Sequence, residues 1–269
     1  MRLALAQLRI EGGDVAGNLD RARAALAEAA ADGADLVALP EIFNVGYFAF
    51  ESYARDAESV AGPTVSALAE CAREHDVGIL AGTIVEDLEA SRAEGVETPT
   101  EEGLANAAVF LDRAGERRAV YRKRHLFGYD SAEQELLTAG EAVPTVEFDD
   151  HTVGITTCYD LRFPSLYRDL VDAGATMVLV PSAWPYPRVE HWRLFPQARA
   201  VENLLYVGAV NGVGSFEDAD LLGRSAVYDP WGTTLAGAGD EAAVVTADVD
   251  ADRVAEVRSE FPALEDRRR

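Results

Sequence analysis

The chain has one lysine, Lys123, among its 24 basic residues, and set against 47 acidic ones this leaves a net charge of −23. So little positive charge argues against a nucleic-acid partner, because phosphate contacts need clustered Lys and Arg. Basic residues cluster only at Arg122 to His125 and Arg267 to Arg269. No apolar run approaches the roughly 20 residues needed to cross a bilayer. The opening MRLALAQLRI is too short and too interrupted by charge to be the apolar region of a signal peptide. A soluble, cytoplasmic protein with no membrane partner is therefore expected. Its acidic surface repels itself unless salt screens the charge, which points to a halophile's cytoplasm.

Cysteine is nearly as scarce. Cys71 and Cys158 are too few for a disulfide framework, and both read as thiols. The histidines at 75, 125, 151 and 191 lack H-x-x-x-H spacing and there is no C-x-x-C, so no metal site is expected. Walker loops, G-x-S-x-G elbows and G-x-G-x-x-G fingerprints are also missing. No linker rich in Pro, Gly and Ser divides the chain, so residues 1–269 are expected to form a single domain.

What is present is an alternation of short apolar runs with helical patterns, the signature of an α/β fold. Strand-like runs include 3–8, 36–39, 77–85, 105–111, 153–157, 177–180, 206–210 and 242–247; helices are expected over 19–31, 65–75, 164–173, 191–203 and 251–259. The segment Ala31-Asp-Gly-Ala-Asp-Leu-Val-Ala-Leu-Pro40 parallels Asp172-Ala-Gly-Ala-Thr-Met-Val-Leu-Val-Pro181, each reading as helix end, Gly turn, buried strand and proline. Two related halves packed as two sheets with helices outside would account for it, as would chance likeness of two ordinary βαβ units. Between Glu86 and Gly103 lie seven carboxylates and one arginine, which reads as a mobile hairpin tip.

Three residues stand out chemically. Cys158 ends the apolar run Val153-Gly-Ile-Thr-Thr157 and precedes a helix start at Pro164, which places a thiol on a strand-to-helix turn. Ligands of α/β folds gather at that end of a strand, near backbone N–H groups able to hold an oxyanion. Position alone also suits a small buried residue, the commonest role of a free cysteine, and Cys71 inside an amphipathic helix fits that role better. Glu41 follows the run Leu36-Val-Ala-Leu-Pro40 among Ile42, Phe43 and Tyr47, apolar company that raises a carboxyl pKa and suits it to acid–base work. Lys123 is kept as lysine where the chain otherwise uses arginine, and its compact point charge is able to approach a developing oxyanion. A Cys–His pair using His125 or His191 is the competing arrangement.

Taken together, Leu39-Pro-Glu41 with Phe43 and Tyr47, Tyr121-Arg-Lys-Arg-His-Leu-Phe127 and Cys158-Tyr-Asp-Leu-Arg-Phe-Pro164 resemble the nitrilase superfamily of carbon–nitrogen hydrolases. Asn106, Pro181-Ser-Ala-Trp184, the stretch from His191-Trp192 to Asn203, and Tyr228-Asp-Pro-Trp-Gly232 extend the likeness over nearly the whole chain. The resemblance implies a four-layer α-β-β-α sandwich and a Glu41, Lys123, Cys158 triad working through a thioester, with no cofactor. It also implies a second glutamate beside the lysine, Glu133 or alternatively Glu135. Tyr47, Tyr159, Arg162, Ser182 and Trp184 are the implied substrate-binding residues, with Arg162 reading a substrate carboxylate through its bidentate fork.

The residues after Cys158 look like the Nit-type amidase branch. The activity implied is hydrolysis of a small carboxylate-bearing amide such as 2-oxoglutaramate. Alternatives are an N-carbamoyl amide hydrolase, a deaminated-glutathione amidase, or a silent scaffold with the same fold. Family members commonly form homodimers, and the same is expected here.

Overall fold

The computed structural model describes residues 1–269 except Asp130, Asp218 and Arg269, so the last member of the C-terminal basic cluster lies outside the described residues. The first half runs β1 (Arg2–Gln7), α1 (Val15–Ala31), β2 (Leu36–Ala38), α2 (Tyr53–Asp56), α3 (Pro63–His75), β3 (Gly78–Leu80), β4 (Ile84–Asp87), α4 (Leu88–Ala93), β5 (Leu104–Leu111) and β6 (Arg117–Arg122). After it come α5 (Glu133–Leu136), β7 (Thr145–Phe148), β8 (His151–Ile155), a 3-10 turn over Cys158–Arg162, α6 (Pro164–Asp172), β9 (Met177–Ser182), α7 (Val189–Asn203) and β10 (Tyr206–Asn211). The chain ends with β11 (Val213–Ser215), β12 (Asp220–Leu222), β13 (Ala226–Tyr228), β14 (Thr234–Gly237), β15 (Ala243–Asp248) and α8 (Ala251–Glu260).

Two sheets carry the fold. One has the order β15-β1-β2-β3-β5-β4 with β6 on β5, the other β14-β13-β10-β9-β8-β7, while β11 and β12 pair apart. Side chains alternate across each strand, so one strand serves two layers. Leu3 and Leu5 of β1 join the cluster between the sheets, where Leu36, Leu80 and Phe110 meet Ile155, Met177 and Leu179. Ala4 and Ala6 face the other way, into a cluster with Leu26 of α1 and Leu68 of α3. Leu166 and Leu170 of α6 and Trp192 and Ala200 of α7 cover the second sheet's outer face. The result is the four-layer α-β-β-α sandwich that the sequence leads one to expect.

The internal repeat has matching geometry. Gly33 bonds to Ala30 O and Gly174 to Val171 O, both at 2.9 Å, and Ala34 and Ala175 likewise close onto Ala29 O and Leu170 O. Both glycines hold φ near +90° (81° and 93°), where a side chain would be strained. Each turn then feeds a parallel strand, β2 beside β1 and β9 beside β8. The ends of β2 and β9 therefore come together: Glu41 N donates to Ser182 O at 3.3 Å.

Two expectations are corrected. The apolar run over 77–85 is not one strand; it breaks at Ala81-Gly82-Thr83 into β3 and β4. Gly82 lies so close to β2's continuation that a Cβ there would sit 2.0 Å from Pro40 O. The break delivers Thr83 Oγ1 to accept from Ile42 N at 2.7 Å, pinning the loop that starts at Glu41. The acidic 86–103 stretch, which links the antiparallel strands β4 and β5, is not loose throughout: three of its seven carboxylates accept hydrogen bonds. Buried Glu86 receives Arg122 through two bonds of 2.6 and 2.7 Å, Asp87 caps α4 through Ala90 N at 3.0 Å, and Glu94 accepts from Ser59 Oγ at 2.7 Å. No helix among the described residues is long and apolar enough to cross a membrane.

Candidate active site

Glu41, from the loop after β2, and Lys123, from the end of β6, meet with Glu133 of α5 in a group from which solvent is excluded. Lys123 Nζ donates to Glu41 Oε1 at 2.8 Å and to both oxygens of Glu133 at 2.8 and 2.9 Å. Glu135, the alternative second glutamate, is exposed on the other side of the same short helix. Asn106 of β5 bridges the two carboxylates, giving Nδ2–H to Glu41 Oε1 at 2.9 Å and to Glu133 Oε1 at 3.1 Å. Glu133 Oε2 also accepts from Phe127 N at 2.6 Å and from Tyr47 OH at 3.0 Å. Glu41 Oε2 accepts from Ala183 N at 2.9 Å, so the second half of the repeat orients the carboxylate of the first.

The Cys158 thiol lies close enough to the Glu41 carboxylate for each to shift the other's ionisation, and its backbone sits at φ 46° in the left-handed region. A non-glycine residue holds that conformation only where its surroundings force it, and here the turn aims the side chain at Glu41. Burial raises the Glu41 pKa; Lys123 opposes this and Glu133 reinforces it. Burial pushes the Cys158 thiol well above its ordinary value, with the Glu41 charge adding to the shift, so the resting sulfur is protonated. For Lys123 burial works against the charge, but Glu133 and Glu41 outweigh it and hold the ammonium firmly protonated. A neutral thiol next to a carboxylate, with a fixed ammonium beside it, is suited to transfer its proton as it attacks rather than beforehand.

Cys158 opens onto a cavity of about 900 Å³ whose wall includes Tyr47, Tyr159, Arg162 and Trp184, and none of residues 86–103. Arg162 lies over Tyr159, Trp184 and Phe195 at 5.0 to 5.7 Å and contacts His191 Nδ1 at 3.1 Å. It forms no ion pair with a carboxylate among the described residues. Ser182 departs from expectation: it is fully buried behind the wall, where Oγ donates to Val180 O at 3.3 Å and the carbonyl holds Glu41 N. As the last residue of β9 it is still held in the sheet, opposite Asn211, and only the residues after it reach the cavity. The competing histidines are engaged elsewhere, His125 with Asp160 and exposed His191 with Arg162. No group of three or more metal-ligating side chains occurs among the described residues.

Two partners that sequence reasoning left out of the site are Asn106 and the Ala183 amide. Asn106 carried a signal, being the one amide side chain inside the apolar run of β5. The Ala183 amide carried none, since backbone groups leave no mark in composition.

A carbon–nitrogen hydrolase family model matches residues 2–259. A 2-oxoglutaramate amidase of Paenarthrobacter nicotinovorans is 36% identical over 239 residues, covering 87% of this chain and 79% of that protein. The omega-amidase of Homo sapiens is 33% identical over 277 residues, covering 99% and 95%. The crystal structure of Nit3 of Saccharomyces cerevisiae, a member of branch 10 of the nitrilase superfamily, superimposes with a TM-score of 0.88 at 28% identity over 100% of this chain and 97% of that one. With its four-layer fold and a family match over nearly its whole length, the chain belongs to the carbon–nitrogen hydrolase family.

Proposed function

We propose that the protein is a cysteine amidase of the omega-amidase type, hydrolysing the terminal amide of a small carboxylate-bearing acid such as 2-oxoglutaramate to the free acid and ammonia. The observation that carries this reading is the Cys158 thiol beside Glu41 on the wall of a cavity that also holds the guanidinium of Arg162 without a carboxylate partner among the described residues. In a chain of net charge −23, an arginine left in that condition inside a cavity is suited to bind an incoming carboxylate. The names of the relatives, 2-oxoglutaramate amidase and omega-amidase, support the same substrate class.

In this reading Glu41 takes the thiol proton as Cys158 Sγ bonds to the amide carbon, and the carbonyl π electrons move onto oxygen. Once protonated, Glu41 is a weaker acceptor for Lys123, which turns a hydrogen towards the new oxyanion beside the N–H of Tyr159. Glu41 returns its proton to the departing nitrogen, ammonia leaves, and a thioester remains. Glu41 then deprotonates a water that attacks the thioester, and the sulfur recovers a proton as the acid departs. Glu133 and Asn106 keep Lys123 and Glu41 in place throughout.

We take residues 1–269 as one catalytic domain working in a salt-rich cytoplasm as a homodimer, for which Leu194 and Val201 of α7 with the neighbouring rings of Trp231 and Phe261 offer exposed apolar surface. Ammonia release should be measured with 2-oxoglutaramate, succinamate, N-carbamoyl amino acids and nitriles at high salt. Turnover of the first two supports the reading. Turnover confined to the last two contradicts it.

A further inference from the structure

Asp160 lies two residues after Cys158, is fully buried, and is not part of the cavity wall. Its Oδ2 accepts from Tyr121 OH at 2.6 Å and from Thr157 N at 2.9 Å. Its Oδ1 accepts from His125 N at 3.0 Å and meets His125 Nδ1 at 2.7 Å. A carboxylate only accepts, so the last contact fixes the Nδ1–H tautomer of His125. Tyr121 and His125 stand two residues before and two after Lys123, while Thr157 and Asp160 bracket Cys158. One carboxylate thus ties the strand end that carries the ammonium to the turn that carries the sulfur.

We propose that Asp160 is a positioning residue for the reaction, locking the Lys123 segment against the Cys158 turn and so setting where the ammonium stands relative to the sulfur. The proposal rests on Cys158 and Lys123 being the reacting pair. Three observations support it. The left-handed backbone at Cys158 is held from both sides, by Asp160 Oδ2 on Thr157 N and by Asp160 N on Thr157 O at 2.9 Å. His125 is stacked on Phe163 with ring centroids 3.7 Å apart, and Phe163 N closes onto Asp160 O at 3.0 Å, so the knot extends to the start of α6. Tyr121 is kept a phenol, and hence a donor, by burial and by the Asp160 charge.

A carboxylate is needed because each oxygen faces a backbone donor, Thr157 N on one side and His125 N on the other. Asparagine has the same shape but puts an NH₂ against one of those N–H groups whichever way it turns. Asp160→Asn therefore shifts one segment against the other, whereas Tyr121→Phe removes the bond to Asp160 and the 3.3 Å bond from Arg124 N and adds no misplaced donor.

The test measures kcat and KM on an amide the enzyme turns over, the second-order rate of Cys158 alkylation by iodoacetamide, and Tm for each variant. Asp160→Asn is expected to lower kcat about 100-fold, the order that a displacement near 1 Å costs, with KM within about threefold and alkylation slowed. Tyr121→Phe is expected to lower kcat about tenfold, the order of one lost hydrogen bond, with Tm lowered by only a few degrees. It carries the test alone if Asp160→Asn does not fold. Tyr121→Phe with wild-type kcat and wild-type alkylation overturns the proposal, as does an Asp160→Asn loss explained wholly by a smaller folded fraction. Failure of the underlying reading looks different: Cys158→Ala would then keep turning over substrate.

Discussion

Glu41, Lys123 and Glu133 put two carboxylates and one ammonium in a site closed to water, and the balance of their charges decides how the neighbouring thiol behaves. In the proposed mechanism, with Lys123 held protonated, the raised pKa of Glu41 makes it the group whose loss of base character limits activity on the acid side. The base form declines as pH falls through that raised pKa, so the acid limb of kcat/KM should lie above 4.5, the ordinary glutamate value, when read from a pH profile. Replacing Lys123 by Met leaves both carboxylates uncompensated; a loss of about 3–5 kcal/mol in denaturant unfolding and no turnover are expected. At this scale the sequence was legible where chemistry demands an unusual residue: one lysine among arginines, one glutamate after a buried strand. It was not legible where the role depends on which way a turn faces. Nothing in the spacing of Glu133 and Glu135 says that only the first points inward, and the family resemblance that made Ser182 a substrate contact does not say that in Pro181-Ser-Ala-Trp184 only Ala183 and Trp184 reach the cavity wall.

Strands and helices were largely readable because apolar period is a property of the chain itself, as in β1, whose leucines and alanines divide between two layers. What escaped were features made by distant partners. The break between β3 and β4 is set by the close approach of Gly82 to Pro40 rather than by any change of hydrophobicity. Glu86 looked like part of a mobile tip because its partner, Arg122, is 36 residues away. Two predictions concern this acidic segment. Arg122→Ala strands a buried carboxylate and should cost about 3–5 kcal/mol in equilibrium unfolding. Asp87→Ala removes the cap of α4 and should cost about 1 kcal/mol by the same measurement.

For the molecule as a whole, the repeat places the ends of β2 and β9 side by side, so each half supplies part of one site: Glu41 from the first, Cys158 and the Ala183 amide from the second. The net charge of −23 acts on the whole surface rather than on that site. Screening should therefore raise Tm steadily as salt goes from about 0.01 M to about 1 M, when the Debye length shrinks from about 30 Å to about 3 Å; a Tm that falls or stays level would count against the salt-rich setting. The covalent step at Cys158 is tested most directly by intact-mass spectrometry of enzyme quenched during turnover of 2-oxoglutaramate, with hydrolysis by Cys158→Ala measured alongside. The expected result is an acyl adduct that peptide mapping places on Cys158, and a variant that neither forms the adduct nor releases ammonia. A Cys158→Ala enzyme that hydrolyses the amide at the wild-type rate would contradict it.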